Sequence, residues 1–62
     1  MKRLDLVRHL RIAGCVLDRE GGNHTIFRNP ANGRSTAIPR HREVKDTVAR
    51  AICDQLGISR PE

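Results

Sequence analysis

Along the first dozen positions the apolar residues recur at intervals of three and four, so that Leu6, Val7, Leu10 and Ala13 fall on one stripe. Lys2, Arg3, Arg8 and Arg11 lie mostly off it. That period predicts an amphipathic helix over residues 2–13, stopped by Gly14, which can take the left-handed conformation that closes helices. The period then shortens. Residues 15–20, 24–28 and 34–38 read as three short strands, separated by "EGGN" and "NPANG" and ended by Pro39, which cannot donate to a ladder. Helical spacing returns near Asp46 or Thr47, either of which can cap a helix N-terminus. Val48, Ala51, Ile52 and Leu56 form its apolar stripe, and Gly57 ends it.

Short turns between consecutive strands imply an antiparallel meander. The expected fold is therefore α+β: a small α-β-β-β-α arrangement in which a three-stranded antiparallel sheet carries both helices on one face. Residues 1–62 read as one domain, with 59–62 as a frayed tail and Ile58 able to dock back. Strand side chains alternate between faces. Phe27 is the most apolar residue of the second strand, so it faces the helices with Thr25, leaving His24, Ile26 and Arg28 on the open face. By the same rule Cys15 and Leu17 of the first strand, and Thr36 and Ile38 of the third, point inward.

Charge adds a partner class. Twelve Lys plus Arg, ten of them Arg, oppose seven Asp plus Glu, for a net charge of +5. Guanidinium forks suit phosphate, and a polyanion such as nucleic acid is the expected ligand. The only aromatic is Phe27, which argues against an RNA-recognition module that stacks bases on sheet aromatics. The segment "PRHREVK" gathers Arg40, His41, Arg42 and Lys45 ahead of the second helix, where free helix N–H groups also favour anions.

The remaining chemistry is sparse. Cys15 and Cys53 sit at apolar positions and read as core residues, with no CxxC between them. No Walker loop, GxGxxG or GxSxG occurs, and the three histidines fall on different elements, so no metal site and no cofactor is expected. No stretch is long and apolar enough for a leader or a membrane span, which makes the cytoplasm the expected location. His9, mid-helix among arginines, reads as solvated. His24 follows two glycines and an asparagine into the second strand. Spacing alone leaves it either an ordinary surface histidine or an acid/base group presented to a substrate.

The run "GCVLDREGGNHTIFRNPANGRSTAIPRH", with a final helix ending "AICDQLGIS", resembles the HicA toxins, the YcfA-like mRNA interferases. The likeness extends from the first helix through Ser59. It is carried by Gly22-Asn23-His24 at the entry of the second strand, by the Pro-Arg-His of Pro39, Arg40 and His41, and by the C-terminal "LGIS". Two departures are visible: Asn23 stands where the family often has serine, and Cys15 where an aromatic often follows the first helix.

The resemblance implies a double-stranded-RNA-binding-like fold and a toxin that cleaves mRNA without a metal, with His24 as the catalytic acid or base. It also implies a HicB-type antitoxin that covers the active site, the free toxin being monomeric and the antitoxin complex heteromeric. Candidate phosphate contacts are Arg19, Arg28 and Arg34, together with the Arg40, His41, Arg42 and Lys45 cluster. Gly21, Gly22 and Asn23 would let an RNA backbone approach closely. Phosphate contacts position RNA without reading bases, so low sequence specificity is expected. The alternative is a non-catalytic double-stranded-RNA-binding-like module that uses the same basic face.

Overall fold

A computed structural model describes residues 1–61. Helix α1 (Arg3–Ile12) is followed by strands β1 (Val16–Glu20), β2 (His24–Asn29) and β3 (Arg34–Pro39), and helix α2 (Asp46–Leu56) completes the order. The strands form one antiparallel sheet in the order β1-β2-β3. Leu6 and Leu10 of α1 join Ala49, Ile52, Cys53 and Leu56 of α2 around Phe27 and Ile38 of the sheet, with Cys15 and Val44 completing the core. Both helices thus cover one sheet face, the α+β arrangement that the hydrophobic pattern predicts.

Parity in β2 is as expected. Thr25, Phe27 and Asn29 are buried, whereas His24 is exposed and Ile26 and Arg28 are half-buried on the other face. Directly paired residues share a face. Ile38 and Thr36, opposite Thr25 and Phe27, therefore lie on the helix side, and the Thr36 hydroxyl donates to Gln55 of α2. Pro39, Ala37 and Ser35 lie on the open side with His24, Ile26 and Arg28.

Strand β1 departs from simple alternation. Val16 pairs with Arg28 and Leu17 with Phe27, but the register then shifts so that Arg19 faces Ile26 and Glu20 faces Thr25. Asp18 is the extra residue of a β-bulge. Uninterrupted alternation from Leu17 would turn Arg19 toward the helices. The bulge returns it to the open face and turns Glu20 to the Thr25 side. Leu17 is on the expected side yet remains 44% exposed, because β1 is an edge strand that the helices leave uncovered along its whole length.

Two helix details correct the sequence pattern. The buried stripe of α2 is Ala49, Ile52, Cys53 and Leu56, while Val48 and Ala51 are exposed. Both stripes have helical spacing, and they share Ile52 and Leu56, so the face that meets the sheet is set by the docking of the whole helix. The N-cap is Lys45 rather than Asp46 or Thr47, and no side chain caps the helix. Asp46 instead accepts a hydrogen bond from the Met1 ammonium at 3.2 Å, and that group also donates to the Val44 carbonyl at 2.7 Å. On α1, Leu6 and Leu10 are fully buried and Val7 packs against the core, whereas Ala13 is an exposed C-cap.

The "NPANG" turn has a second task. Asn29 and Asn32 both donate through Nδ2 to the Leu56 carbonyl, at 2.8 and 2.9 Å. Leu56 is the last residue of α2, where backbone carbonyls lack helical partners. Gly57 then turns left-handed at φ 71°, and a Cβ there would lie 2.6 Å from Asn32 Nδ2. Because the Asn29 amide is buried, Asn29→Ala is expected to cost about 1–2 kcal/mol. Thermal unfolding would show this as a drop of roughly 4–8 °C per kcal/mol in a domain this small. Beyond α2, Ile58 packs on the core, His9 Nε2 donates to the Ser59 carbonyl at 2.7 Å, and Arg60 forks onto Asp54 at 2.8 and 3.0 Å. Arg60 holds the Asp54 carboxyl below its ordinary value by hydrogen bonding. Glu62, the end of the expected tail, lies outside the described residues.

Cys15 and Cys53 are free, buried thiols. Burial raises both above the ordinary thiol value, and the charge of Asp54 and then of Cys15 raises Cys53 further. A raised folded-state value means that this contribution to stability is complete below the unfolded thiol pKa of about 8.5 and is lost as pH rises through the folded values. At pH 8 neither thiol of the native protein is expected to react with Ellman's reagent, and both should react in urea. Native reactivity at the unfolded rate would contradict the placement of both side chains.

Candidate functional site

The turn between β1 and β2 closes when the Gly21 N–H donates to the His24 carbonyl at 2.9 Å, leaving Gly22 and Asn23 at the tip. His24 is the first residue of β2 and pairs with Pro39, the last of β3. Its ring emerges on the open face into a pocket of about 430 Å³ lined by Gly22, Asn23, His24, Pro39, Arg40 and His41. His41 arrives there because the chain leaves the sheet at Pro39, directly opposite His24. A Cβ on Gly22 would meet nothing within 4 Å, while one on Gly21 would reach the His24 carbonyl at 3.4 Å. Open access is thus a property of Gly22, and Gly21 belongs to the turn itself.

Arg40 ties the turn down. Its Nη1 donates to the Gly22 carbonyl at 2.9 Å and its Nη2 to the Gly21 carbonyl at 2.7 Å, and the same nitrogen pairs with the Glu20 carboxylate. A longer contact of 3.5 Å reaches the His24 carbonyl. Thr25, only 2% exposed, donates to the Glu20 carboxylate at 3.1 Å and accepts from Arg3 Nη2 at 2.9 Å. Arg3 also donates through Nε to the Pro39 carbonyl at 3.0 Å. Two arginines, one threonine and one glutamate therefore join α1, the β1–β2 turn and the end of β3 into a single hydrogen-bonded unit. Arg40, expected from the sequence as a phosphate contact, has much of its guanidinium engaged with the turn.

The other expected residues divide into groups. Arg28 and Arg19 share the open face with His24. Arg34 does not. It pairs with Asn29 at the opposite end of the ladder, and its Nη1 lies 3.6 Å from the position of a Cβ on Gly57, beside the end of α2. Arg42 lines a neighbouring pocket of about 580 Å³ with Lys2, Arg3, Leu4, Arg40 and Glu43. Lys45 is the N-cap of α2 and lines neither pocket. The start of α2, expected to attract anions, instead faces the Met1 ammonium.

Lys2 and Arg3 were not singled out by sequence. They reach this region because the start of the chain pairs with the segment ahead of α2. Lys2 bridges Glu43, the Arg3 N–H donates to the Arg42 carbonyl at 2.8 Å, and the Val44 N–H donates to the Met1 carbonyl at 2.8 Å. No spacing along the chain signals that meeting. The two pockets share Arg40, so together they present Lys2, Arg3, Arg40 and Arg42 next to His24 and His41. Among the described residues, no three of His, Cys, Asp and Glu gather as a metal site, and no helix is long and apolar enough to cross a membrane.

Compared with known families, the chain matches the model described as the HicA toxin of bacterial toxin–antitoxin systems over residues 4–58. That span takes in both helices from Leu4 onward, the whole sheet and the His24 pocket, and it leaves out Lys2 and Arg3 of the neighbouring pocket. No curated protein and no solved structure matches the chain.

Proposed function

The chain belongs to the HicA toxin family, and on that premise we propose that it is a metal-independent endoribonuclease toxin that cleaves mRNA with His24 as general acid or base. The observation that carries this reading is the position of His24: an exposed imidazole at a pocket mouth, on a sheet face shared with Arg28 and Arg19. An RNA strand laid on that face brings a phosphodiester to the imidazole. Arg28 and Arg19 then meet flanking phosphates, and Gly22 leaves room for the ribose. Arg42 and Lys2 extend the cationic surface past Arg40 for a longer strand.

Cleavage requires that the ribose 2′-OH lose a proton, that the 5′-oxygen gain one, and that cations stabilise the charged phosphorane between them. Arginine contacts of this kind hold the backbone and do not read bases, so low sequence preference follows. The partner is a HicB-type antitoxin that binds the toxin in a heteromeric complex, covers the His24 pocket and offers acidic groups to the basic face. The free toxin acts in the cytoplasm, where translation supplies its substrate, and cleavage there arrests growth.

The test is induced expression of the wild type and of His24→Ala, with growth and RNA integrity followed together. Arrest accompanied by RNA fragments in the wild type alone is the expected result. Intact RNA on wild-type induction would reject the reading.

A further inference from the structure

We infer that His41 is the second proton-transfer group of this reaction, acting with His24 across one phosphodiester; the inference rests on the RNA-cleaving reading above. Attack by the 2′-oxygen forms an O2′–P bond as the P–O5′ bond breaks. The two oxygens leave and enter on opposite sides of phosphorus, so one imidazole cannot serve both in a concerted step. One neutral imidazole takes the 2′-OH proton, and a second, protonated one gives a proton to the departing 5′-oxygen. The products are a 2′,3′-cyclic phosphate and a 5′-hydroxyl. No electrons are exchanged, and proton exchange with water resets both rings.

The pocket supplies that second ring. Its lining is Gly22, Asn23, His24, Pro39, Arg40 and His41. A glycine, an amide, a proline and a permanently charged guanidinium cannot trade protons near neutral pH, which leaves the two histidines. Glu20, the carboxylate nearest the turn, is committed to Arg40 and Thr25. Glu43 lines the neighbouring pocket.

Position agrees with this role. His41 follows Pro39, the ladder partner of His24, by two residues. Between them Arg40 bonds the carbonyls of Gly21 and Gly22, so the residue preceding His41 is fastened to the turn preceding His24. Both rings therefore ride on backbone held by one clamp, as acid/base groups need in order to reach a substrate proton within about 3 Å. Both are exposed, and among the described residues no hydrogen bond to either ring is found, so neither is spent on the fold.

The experiment compares kcat/KM against pH for a short oligoribonucleotide with wild type, His24→Gln and His41→Gln, each first shown to be folded by thermal unfolding. Wild type should give a bell. Each variant should lose roughly 10²–10⁴-fold in rate, with His41→Gln removing one limb of the bell and His24→Gln the other. A substrate with sulfur in place of the 5′-oxygen leaves without an acid, so it should restore the rate of one variant and not of the other. The charged groups around the pair are Arg40 in the same pocket, Glu20 paired with it, Arg42 and Glu43 in the neighbouring pocket, and Arg28 and Arg19 on the open face. Glu20→Gln and Glu43→Gln should each keep both limbs. A His41→Gln protein with both limbs intact, or a sulfur substrate that restores neither or both variants, would overturn the pairing while leaving the endoribonuclease reading in place. A wild type that cleaves no RNA would overturn both.

Discussion

Alanine at His24 is expected to lower RNA cleavage by roughly 10²–10⁴-fold, the range that a positioned acid or base contributes, and to abolish growth arrest while leaving the melting temperature nearly unchanged. The second half of that statement follows from where the ring sits. His24 lies on the open face, whereas the packing of β2 is carried by Thr25, Phe27 and Asn29 on the other side. The contacts that hold the turn use the backbone carbonyls of Gly21, Gly22 and His24, and alanine retains all of them. Exposed substitutions of this kind usually stay within about 0.5 kcal/mol. A gel assay on end-labelled RNA, run beside thermal unfolding of the same preparation, checks both halves. A folded His24→Ala protein that cuts at the native rate would remove His24 from the chemistry.

Arg40→Gln should separate two roles that the sequence could not distinguish. As a phosphate contact, Arg40 would raise KM on removal and reduce the salt slope of RNA affinity by about one. As the clamp of the β1–β2 turn, its loss should act mainly on kcat. A displacement on the order of 1 Å can cost about 10²-fold in rate. The geometry favours the clamp, because Gly21, Gly22, Glu20 and Thr25 surround its guanidinium. The ion pair itself counts for little, since its side chains are 41% and 55% exposed and water screens them. The larger loss comes from the freed turn carbonyls and from a Glu20 carboxylate left beside buried Thr25. We expect a kcat lower by roughly 10–10²-fold and a measurable fall in melting temperature, with the salt slope nearly unchanged. A rise in KM with native kcat and a shallower salt slope would return Arg40 to the list of phosphate contacts.

Much of this site was readable before any tertiary contact was known. Phe27 is the only aromatic and sits three residues after His24, so alternation alone sends the histidine outward and Arg28 with it. Pro39 likewise had to end β3, and it does so opposite His24. Arg34 has the same charge as Arg28, but the ladder puts it beside Asn29 and the end of α2, away from His24. The buried stripe of α2 lies one position on from the apolar pattern: Ala49 and Cys53 are buried while Val48 and Ala51 are exposed, because the docking of the whole helix decides which face meets the sheet.

Local rules, then, determined the element order, the antiparallel meander and the side of the sheet on which His24 stands. Each depends on neighbours a few residues apart, and side-chain period and turn chemistry act over that range. Three features were decided only by the folded chain. The bulge at Asp18 moves Arg19 to the open face and Glu20 to the helix side. Arg40 reaches back across the sheet to the Gly21–Gly22 turn. His41 arrives beside His24, and Lys2 and Arg3 beside Arg42. All three are encounters between segments far apart in sequence, fixed by strand register and by the pairing of residues 1–3 with 42–44. Register is a cooperative property of packing one face against the helices, and no single stretch of residues contains it.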